Sequence, residues 1–348
     1  VAIVTNRYTA TPIMIPAPIS PRAKPRAIRR PSTASRPRTA SWTATPSRKS
    51  SRPTELYRSA RCSSEAEKYA EASTRGRCRS AGTFVRQSNV AAMSQAATAR
   101  TIVAPLSKRV AVISDVHGNR HALDAVLDAI ATEQPDELWC LGDLVGYGPQ
   151  PNECCRVVAA HADLCLAGNH DLVVLGALSI HDFASDAAAA ARWTQSVLAD
   201  DAREFLTGLE PSSHRDGVDL FHGSARDPVW EYVLDEEAAW WTLNATSQPL
   251  VLVGHSHVPL AIELEGDELG GGLARGGTTV ALEGARRLLN PGSVGQPRDG
   301  DPRAAYLLLE PERRAAFHRV DYPIERTQAE MREAGLPEPL AARLREGL

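Results

Sequence analysis

The chain has 348 residues, of which 43% are hydrophobic, and a formal net charge of −3. This length and apolar fraction are enough for a folded domain with a sizeable core. No run approaches the ~20 apolar residues of a membrane-spanning helix, which excludes an integral membrane protein and predicts a soluble one. Six cysteines without a CxxC pair favour buried free thiols in a reducing cytoplasm.

The first 107 residues differ from the rest in composition. They carry 19 Lys and Arg against four Asp and Glu, are rich in Ser, Thr and Pro, and show no sustained apolar period. Such a segment lacks the apolar surface that would offset its ordering entropy, so residues 1–107 are predicted to be a disordered basic extension. Three origins stay open: a targeting segment, a basic arm for nucleic acid, or sequence that is not genuinely coding. The initial Val1 favours the last, with translation starting near Met93.

Residues 108–348 are predicted to form one ordered domain. Its first half alternates short apolar strands with helical patterns. A βαβαβ series predicts parallel strands, right-handed crossovers and ligand binding at the carboxyl ends of the strands. These elements are VAVIS (110–114), HALDAVLDAIA (121–131), ELWCLG (137–142), NECCRVVAAH (152–161) and DLCLAG (163–168).

The second half of the domain begins with an Ala-rich helix over 184–198 and changes its pattern after Pro259. Between these points we predict strands in GVDLFHGS and LVLVG and a helix near DEEAAWWTL. After Pro259 come short strands with Gly-rich turns, which are typical of antiparallel pairing, and then two helices around a Gly-Leu-Pro break. The predicted fold is α/β, a four-layer αββα sandwich of two mixed β-sheets flanked by helices. The late strands, LAIELEG, TTVALEG, RRLLNPG and AAYLLLE, are expected to form the second sheet.

Polar side chains follow five of the predicted strands. Because the carboxyl ends of parallel strands meet at one edge of a sheet, we expect these groups to converge there. A Gly precedes the polar group in three of the five motifs and lets the backbone pass close to the site. In chain order the groups are Asp115 and His117; Asp143; Asn169, His170 and Asp171; His222; His255 and His257.

Each of these motifs is weak evidence by itself. An Asp after a strand is usually a turn residue, and a lone His before Gly is most often a partly exposed loop residue. Together, however, so many acid, amide and imidazole groups would lack partners unless they bound a metal. Mixed oxygen and nitrogen ligands that include several imidazoles suit transition metals rather than Ca²⁺ or Mg²⁺.

The complete motif set, D-x-H, G-D, G-N-H-D, H and G-H-x-H, resembles the calcineurin-like metallophosphoesterase superfamily over residues 108–348. The resemblance implies a phosphoester hydrolase with two divalent transition-metal ions, in which a water bridging the ions attacks phosphorus. Mn²⁺ is expected first, and Fe, Zn²⁺, Ni²⁺ and Co²⁺ are alternatives. By position, Asp115, His117 and His257 hold one ion, Asn169, His222 and His255 hold the other, and Asp143 bridges both.

Two further residues receive catalytic roles from the same resemblance. The ring of His170 would face the leaving-group oxygen as a general acid or a hydrogen-bond donor in the transition state. Such a group typically contributes about 10²–10⁴ in rate. Asp171 is expected to orient the His170 ring and to fix its tautomer.

The sequence departs from the phosphoprotein phosphatases of this superfamily. They carry G-D-x-V-D-R-G with a phosphate-gripping Arg, whereas residues 142–148 read GDLVGYG. The segments GDLVGYGPQPNEC, HGSARDPVWEY and NPGSVGQPRDGDP, with the tail GLP…LAARL…G, resemble a small prokaryotic phosphodiesterase branch described as diadenosine-tetraphosphatase-like. The implied substrate is a small phosphoester or a nucleotide.

Arg226 and Arg298 are the nearest candidate cations for gripping a phosphate. Surface ion pairs with Asp227 and Asp299 explain them equally well. Trp230 and Tyr232 could stack on a nucleobase, but aromatics after a loop are more often core residues, and we favour core positions.

Three alternative functions remain within the same fold: a protein phosphatase, a nuclease and a non-catalytic scaffold. A scaffold is disfavoured because all seven ligands and His170 are present. A nuclease usually adds a large DNA-capping domain, and here a short helical tail follows the last predicted strand. Residues 108–348 are also acidic, so nucleic acid is not an expected partner unless the basic arm is genuine.

Overall fold

The computed structural model describes residues 107–348, so the predicted disorder of the N-terminal extension falls outside the described residues. Twelve strands form within this part of the chain. They are β1 (Val110–Ile113), β2 (Glu137–Cys140), β3 (Leu164–Cys165), β4 (Ser212–Arg215), β5 (Val218–Phe221), β6 (Leu250–Val253), β7 (Leu260–Glu265), β8 (Glu268–Leu273), β9 (Thr279–Ala281), β10 (Arg286–Asn290), β11 (Ala304–Glu310) and β12 (Arg314–Val320).

Eight α-helices accompany the strands in the described range. The Asn119 side chain caps the first helix by accepting a hydrogen bond from the Ala122 N–H at 3.2 Å. None of the described helices has the length and apolar composition needed to cross a bilayer. The helices are α1 (Arg120–Glu133), α2 (Pro151–His161), α3 (Asn169–Leu175), α4 (Ser185–Val197), α5 (Asp200–Thr207), α6 (Glu236–Ala245), α7 (Ile324–Glu333) and α8 (Glu338–Ala342), with 3₁₀ turns at Ile180–Asp182 and Arg343–Arg345.

The strands form two mixed sheets of six. Sheet 1 has the order β3-β2-β1-β11-β12-β9, and sheet 2 has the order β4-β5-β6-β10-β7-β8. In sheet 1, β1 pairs in parallel with β2 and antiparallel with β11. In sheet 2, β6 pairs in parallel with both β5 and β10. The predicted parallel arrangement of the early strands is therefore confirmed.

The period-2 geometry of the strands separates the hydrophobic core into layers. Val110 and Val112 of β1 pack between the sheets, in one cluster with Leu252 of β6. Ala111 and Ile113 point the other way and pack under helices α1 and α2. Helix α6 covers the outer face of sheet 2. This confirms the predicted four-layer αββα sandwich.

The assignment of the late strands to the second sheet is wrong for half of them. Strands β7 and β10 join sheet 2, but β9 and β11 belong to sheet 1, together with the unpredicted β12. Six of the seven residues of β11 are buried, so this strand needs neighbours on both sides and lies in the middle of sheet 1. Strand β8 was also missed, because its three consecutive glycines weaken the strand signal.

The C-terminal segment forms two α-helices, α7 and α8, as predicted. Their apolar residues and the following 3₁₀ turn make a cluster of their own, which includes Met331, Leu340 and Leu344. This cluster packs against Ala190 of α4 and against Tyr147, in the loop that follows β2. The end of the chain is thereby brought next to the loops at the carboxyl ends of the strands.

Candidate metal centre

The nine predicted site residues come together at the carboxyl ends of five strands, and all nine are buried. Strands β1, β2 and β3 of sheet 1 supply six of them, and β5 and β6 of sheet 2 supply the other three. The expectation that a single sheet edge carries all five motifs is wrong. The groups instead meet where the edges of two stacked sheets face each other.

The backbone is strained at the candidate ligands. A φ between 49° and 63° places five of them in the left-handed region, which residues other than glycine rarely occupy. Each such residue costs of order 1–3 kcal/mol and persists only where the surrounding structure holds it. The strain is therefore concentrated on the residues with predicted chemistry: Asp115, His117, Asp143, His255 and His257.

The first group of candidate ligands contains Asp115, His117, His257 and Asp143. The Nε2 atoms of His117 and His257 lie 3.0 Å apart. Oδ1 of Asp115 lies 3.3 Å from Nε2 of His257 and 3.9 Å from Nε2 of His117. A ring nitrogen from each of two imidazoles and an oxygen from each of two carboxylates thus lie close enough together to bind one ion.

The second group contains Asp143, His222 and His255. Asn169 adds an amide oxygen, since its Oδ1 lies 3.2 Å from Nε2 of His222. Oδ2 of Asp143 is 3.5 Å from Nε2 of His222 and 3.6 Å from Nε2 of His117 in the first group. This single oxygen therefore lies between the two groups.

Backbone carbonyl groups fix the orientation of the four imidazole rings. In three rings Nδ1 contacts the carbonyl oxygen and Nε2 faces the cluster. In His255 it is Nε2 that contacts the carbonyl oxygen, which leaves Nδ1 as the other ring nitrogen. A hydrogen bond at the outer ring nitrogen sets the tautomer of a metal-binding histidine. The pairs are His117 with Val145 O (3.1 Å), His222 with Leu141 O (2.8 Å), His257 with Gln296 O (2.6 Å) and His255 with Trp230 O (3.2 Å).

Burial keeps three of these rings neutral. It lowers the pKa of His117 to about 4 and that of His255 to about 3, and it holds the pKa of His257 well below its ordinary value. Burial would also lower the pKa of His222, but the Asp143 carboxylate raises it to about 9. A neutral imidazole has the free lone pair that a metal requires.

Two carboxylate oxygens in the cluster, Asp115 Oδ1 and Asp143 Oδ2, are buried and accept no hydrogen bond from residues 107–348. Burial, together with the neighbouring Asp143 charge, raises the pKa of Asp115 to about 7. Unpaired buried carboxylate oxygens are costly, and a bound cation removes that cost. The oxygen and nitrogen donors present here fit divalent transition-metal ions.

His170 lies beside the cluster at the start of α3. Its backbone N–H donates to Oδ1 of Asp143 at 2.8 Å, and its ring packs between Tyr147 and Phe183, with centroid distances of 4.4 Å to each. The ring is buried, and its Nδ1 has no hydrogen-bond partner among the described residues. Burial holds the pKa of His170 well below its ordinary value, so the ring is neutral near pH 7.

The prediction that Asp171 orients the His170 ring is wrong. Oδ1 of Asp171 accepts hydrogen bonds from the N–H groups of Leu144 (2.9 Å) and Val145 (3.1 Å), and Oδ2 accepts one from Gly168 N–H at 2.9 Å. Because Asp171 is the third residue of α3, its carboxylate lies over the helix N-terminus, where backbone N–H groups are free. Asp171 therefore ties the loop that carries Asp143 to the start of α3.

Two glycines leave room for these side chains. A Cβ atom on Gly168 would lie 1.9 Å from Oδ1 of Asp143, and one on Gly146 would lie 2.4 Å from Nδ1 of His170. Any larger residue at either position would displace the group that it faces. Gly168, which precedes the polar residues of the GNHD motif, thus lets the backbone pass close to the site, as the sequence predicted.

Comparison with known proteins agrees with the arrangement of these residues. Residues 109–314 match the calcineurin-like phosphoesterase superfamily domain. The chain belongs to this superfamily. The resemblance read from the motifs is therefore confirmed, and we refer to residues 109–314 as the phosphoesterase domain.

Three similar proteins illustrate the relationship. An uncharacterized protein of Methanocaldococcus jannaschii is 36% identical over 241 residues, which cover 68% of this chain and 96% of that protein. A crystal structure of a metallophosphoesterase from Sphaerobacter thermophilus is 41% identical, covers 69% of this chain and 99% of its own, and has a TM-score of 0.63. The symmetrical bis(5'-nucleosyl)-tetraphosphatase of Erwinia tasmaniensis is 40% identical over 67 residues, which cover 18% of this chain and 24% of that protein.

Of the two predicted phosphate-gripping arginines, Arg298 lies beside the cluster of candidate ligands. Its backbone N–H donates to the carbonyl of His257 at 3.3 Å. Its guanidinium donates to Gln296 Oε1 at 2.9 Å and to the Tyr147 hydroxyl at 3.4 Å, and Nε is buried without a partner in the described range. The alternative pairing with Asp299 is wrong, because Asp299 pairs with Arg319.

Arg226 is engaged elsewhere in the phosphoesterase domain. Its guanidinium forms ion pairs with Glu231 and, at 3.7 Å, with Glu237. It also lies 5.8 Å from the centre of the Trp241 ring. These contacts occupy the guanidinium in a partly exposed ion pair, so the predicted role of Arg226 in phosphate binding has no support, and neither does a pairing with Asp227.

The two aromatic residues of the loop before α6 differ. Trp230 is partly buried and packs on the main hydrophobic cluster, as expected for a core residue. Tyr232 is 45% exposed and stacks on the His255 ring with a centroid distance of 4.0 Å, so the core assignment is wrong for Tyr232.

Sequence reasoning missed Tyr147, which contributes to the site. Its ring centre lies 4.6 Å from that of His117 and 4.4 Å from that of His170, and its hydroxyl contacts Arg298. Tyr147 takes the place of the Arg in the G-D-x-V-D-R-G motif of the protein phosphatases. Alignment with that motif could have identified Tyr147 from the sequence, because an aromatic residue in an otherwise glycine-rich loop indicates a packing role.

Proposed function

We propose that the phosphoesterase domain hydrolyses small phosphoesters with the help of two divalent transition-metal ions. The observation that carries the proposal is the pair of ligand groups that overlap in Asp143. Such overlap suits two adjacent ions that share one carboxylate, and it is unnecessary for a single ion.

In this proposal Asp115, His117 and His257 hold one ion, with Asp143 shared between both. The second ion is held by Asn169, His222 and His255. Ions bound in this way would lower the pKa of a coordinated water and neutralise charge on the phosphoryl group. Mn²⁺ is our first choice, and Fe, Zn²⁺, Ni²⁺ and Co²⁺ are compatible with the same donors.

His170 supplies the proton-bearing group of the proposed site. A buried neutral imidazole has one N–H, which can donate a hydrogen bond to the oxygen of the departing group. The ring is held in place by Tyr147 and Phe183, so little rotational freedom is lost when a substrate binds.

The proposed substrates are small phosphoesters, including nucleotides. The local similarity to a bis(5'-nucleosyl)-tetraphosphatase supports a nucleotide. Residues 108–348 contain 38 Asp and Glu against 20 Lys and Arg, which counts against long nucleic acids as partners. A cytoplasmic location is part of the proposal, because the four cysteines of the described range are all free thiols.

Metal reconstitution combined with a His170 variant tests the function. We expect the metal-free protein to be inactive on bis-p-nitrophenyl phosphate, and Mn²⁺ to restore activity with two ions bound per chain. His170→Ala should keep both ions and lower kcat by about 10²–10⁴-fold, because the ring acts on the substrate and not on the metals. Elemental analysis and steady-state kinetics measure both effects.

Either of two results would contradict the proposal. Full activity at one ion per chain would remove the second metal from the mechanism. Unchanged turnover in His170→Ala would remove the imidazole from it.

A further inference from the structure

The ring of His255 is held differently from the other three candidate imidazole ligands. Its plane lies nearly parallel to the ring of Tyr232, with an interplanar angle of 10° and a centroid distance of 4.0 Å. Among the described residues, the rings of His117, His222 and His257 meet their neighbouring rings at tilted or edge-on angles. A face-to-face contact with a side chain outside the ligand set is therefore specific to His255.

The backbone and the ring of His255 depend on different parts of the molecule. The His255 N–H donates to Oδ2 of Asp115 at 3.1 Å, so the first group of ligands fixes the backbone. Within the described range, the polar contact of the ring is the one between Nε2 and the Trp230 carbonyl oxygen at 3.2 Å. The χ2 torsion of a histidine is broad, so one such contact leaves the plane of the ring free to turn, and the stacked Tyr232 ring opposes that rotation.

Trp230 and Tyr232 lie in the loop that joins β5 to α6, and the first residue of this loop is the candidate ligand His222. Hydrogen bonds within the loop fix its shape. Oδ1 of Asp227 accepts a hydrogen bond from the Trp230 N–H at 3.0 Å, and the Ser224 hydroxyl accepts one from the Asp227 N–H at 3.1 Å. One loop thus supplies one ligand of the second group and supports another.

Tyr232 is accessible, in contrast to the ligand that it supports. Its side chain belongs to a residue that is 45% exposed, whereas His255 is 3% exposed. Tyr232 also lies outside the four hydrophobic clusters formed by the described residues. Its replacement therefore removes the support of one ligand without opening a cavity in the core.

We propose that Tyr232 is a positioning residue for the second metal ion. By fixing the plane of the His255 ring, it keeps this ligand in place beside Asp143 and His222 and so sets the affinity of the second group of ligands. The first group has no contact of this kind and should be unaffected. The inference rests on the proposed function, because it concerns one of the two proposed ions.

Mn²⁺ binding to metal-free Tyr232→Ala tests this role. Calorimetric titration should show that the affinity for one ion falls by about 10- to 100-fold, as is usual for groups that hold metal ligands in place, and that the affinity for the other ion is unchanged. Electron paramagnetic resonance gives a second readout, because two adjacent Mn²⁺ ions couple magnetically and a single ion does not. The coupled signal should require more Mn²⁺ in the variant than in the wild type.

The dependence of activity on Mn²⁺ separates weak binding from a damaged site. At limiting Mn²⁺, Tyr232→Ala should hydrolyse bis-p-nitrophenyl phosphate more slowly than the wild type. At saturating Mn²⁺, its kcat should return to within about twofold of the wild type, because all the ligands and His170 are still present. The metal-free forms of the two proteins should unfold at the same temperature, which excludes a general loss of stability.

Two further variants provide the controls. Tyr232→Phe keeps the flat ring and should bind both ions like the wild type. Trp241→Ala removes another exposed aromatic side chain, which is 46% exposed and packs on Trp240 and Arg226 instead of on a candidate ligand. Both metal affinities of Trp241→Ala should equal those of the wild type.

Several outcomes overturn the inference and leave the proposed function intact. Unchanged binding of both ions in Tyr232→Ala would remove Tyr232 from the support of His255. An equal loss in Tyr232→Phe would assign the effect to the hydroxyl group and not to stacking. Equal weakening of both ions, or the same loss in Trp241→Ala, would show an effect on general stability.

If Tyr232→Ala does not fold, Tyr232→Leu, which fills the space without a flat ring, takes its place, and the same outcomes decide. A wild-type protein that binds a single ion per chain would instead overturn the proposed function itself.

Discussion

The candidate metal centre and the Arg298 side chain beside it are held in place in different ways. The candidate ligands follow the ends of strands, so strand pairing places them, and five of them have a strained backbone. Arg298 comes from the loop between β10 and β11, and hydrogen bonds to Gln296 and Tyr147 hold its guanidinium. A centre of this kind is rigid and general for phosphoesters, whereas loops and tails can change the substrate without changing the chemistry.

Loss of the shared carboxylate should have the largest effect. In Asp143→Asn the neutral amide cannot balance the charge of two ions, so at least one ion should be lost from each chain. We expect activity on bis-p-nitrophenyl phosphate to fall by roughly 10³-fold, since the electrostatic stabilisation is removed. Elemental analysis of the purified variant checks the metal content. A variant that retains two ions per chain would refute the bridging role of Asp143.

Weakening the support of the metal centre should have a smaller effect. Asp171→Asn removes one of the oxygens that accept backbone N–H groups and loosens the loop that carries Asp143. We expect a loss of about 10- to 100-fold in metal affinity or activity, as is usual for groups that hold metal ligands in place. Titration of the metal-free variant with Mn²⁺ measures this loss.

Asp163→Asn is the control for that variant. Asp163 also accepts a backbone N–H, from Leu138 at 3.0 Å, but at the opposite end of β2. Its replacement should leave metal affinity unchanged. Equal effects of the two substitutions would show that Asp171 acts through general stability alone.

The smallest effect is expected outside the centre, on substrate affinity. Arg298→Gln should raise KM for bis-p-nitrophenyl phosphate by about tenfold, because one charge-assisted contact is lost, and should leave the bound metals in place. Arg226→Gln should leave KM within about twofold, since its guanidinium is already paired with Glu231. Initial-rate kinetics compare the two variants. A larger change in Arg226→Gln than in Arg298→Gln would reverse our assignment of the phosphate-binding arginine.

The sequence predicted the layers of the fold and the positions of the ligands well, because both depend on local patterns. A run such as LVLV before a Gly indicates a buried strand, and the polar groups after it then lie at the strand end. The motif set was specific enough to indicate the superfamily, which the comparison with known proteins confirmed.

The sequence failed where the decisive partner is distant along the chain. AAYLLLE reads as a strand, but nothing local shows that it pairs with β1 and not with the other late strands. Asp171 follows His170 directly, yet its carboxylate reaches the loop after β2. Adjacent residues on a helix point in different directions, so adjacency was a poor guide to that contact.

The sequence by itself determined the superfamily of this protein and its candidate ligands, since strands followed by Asp, Asn and His indicate both the motif set and the shared end of the fold. The tertiary structure decided how the two sheets bring those ends together and which cations remain without a carboxylate. Arg226 and Arg298 look alike in sequence, and three-dimensional packing alone pairs Arg226 with a glutamate and places Arg298 against Gln296 and Tyr147. The physical reason is that charge pairing depends on distances of a few ångströms, which local sequence patterns do not encode.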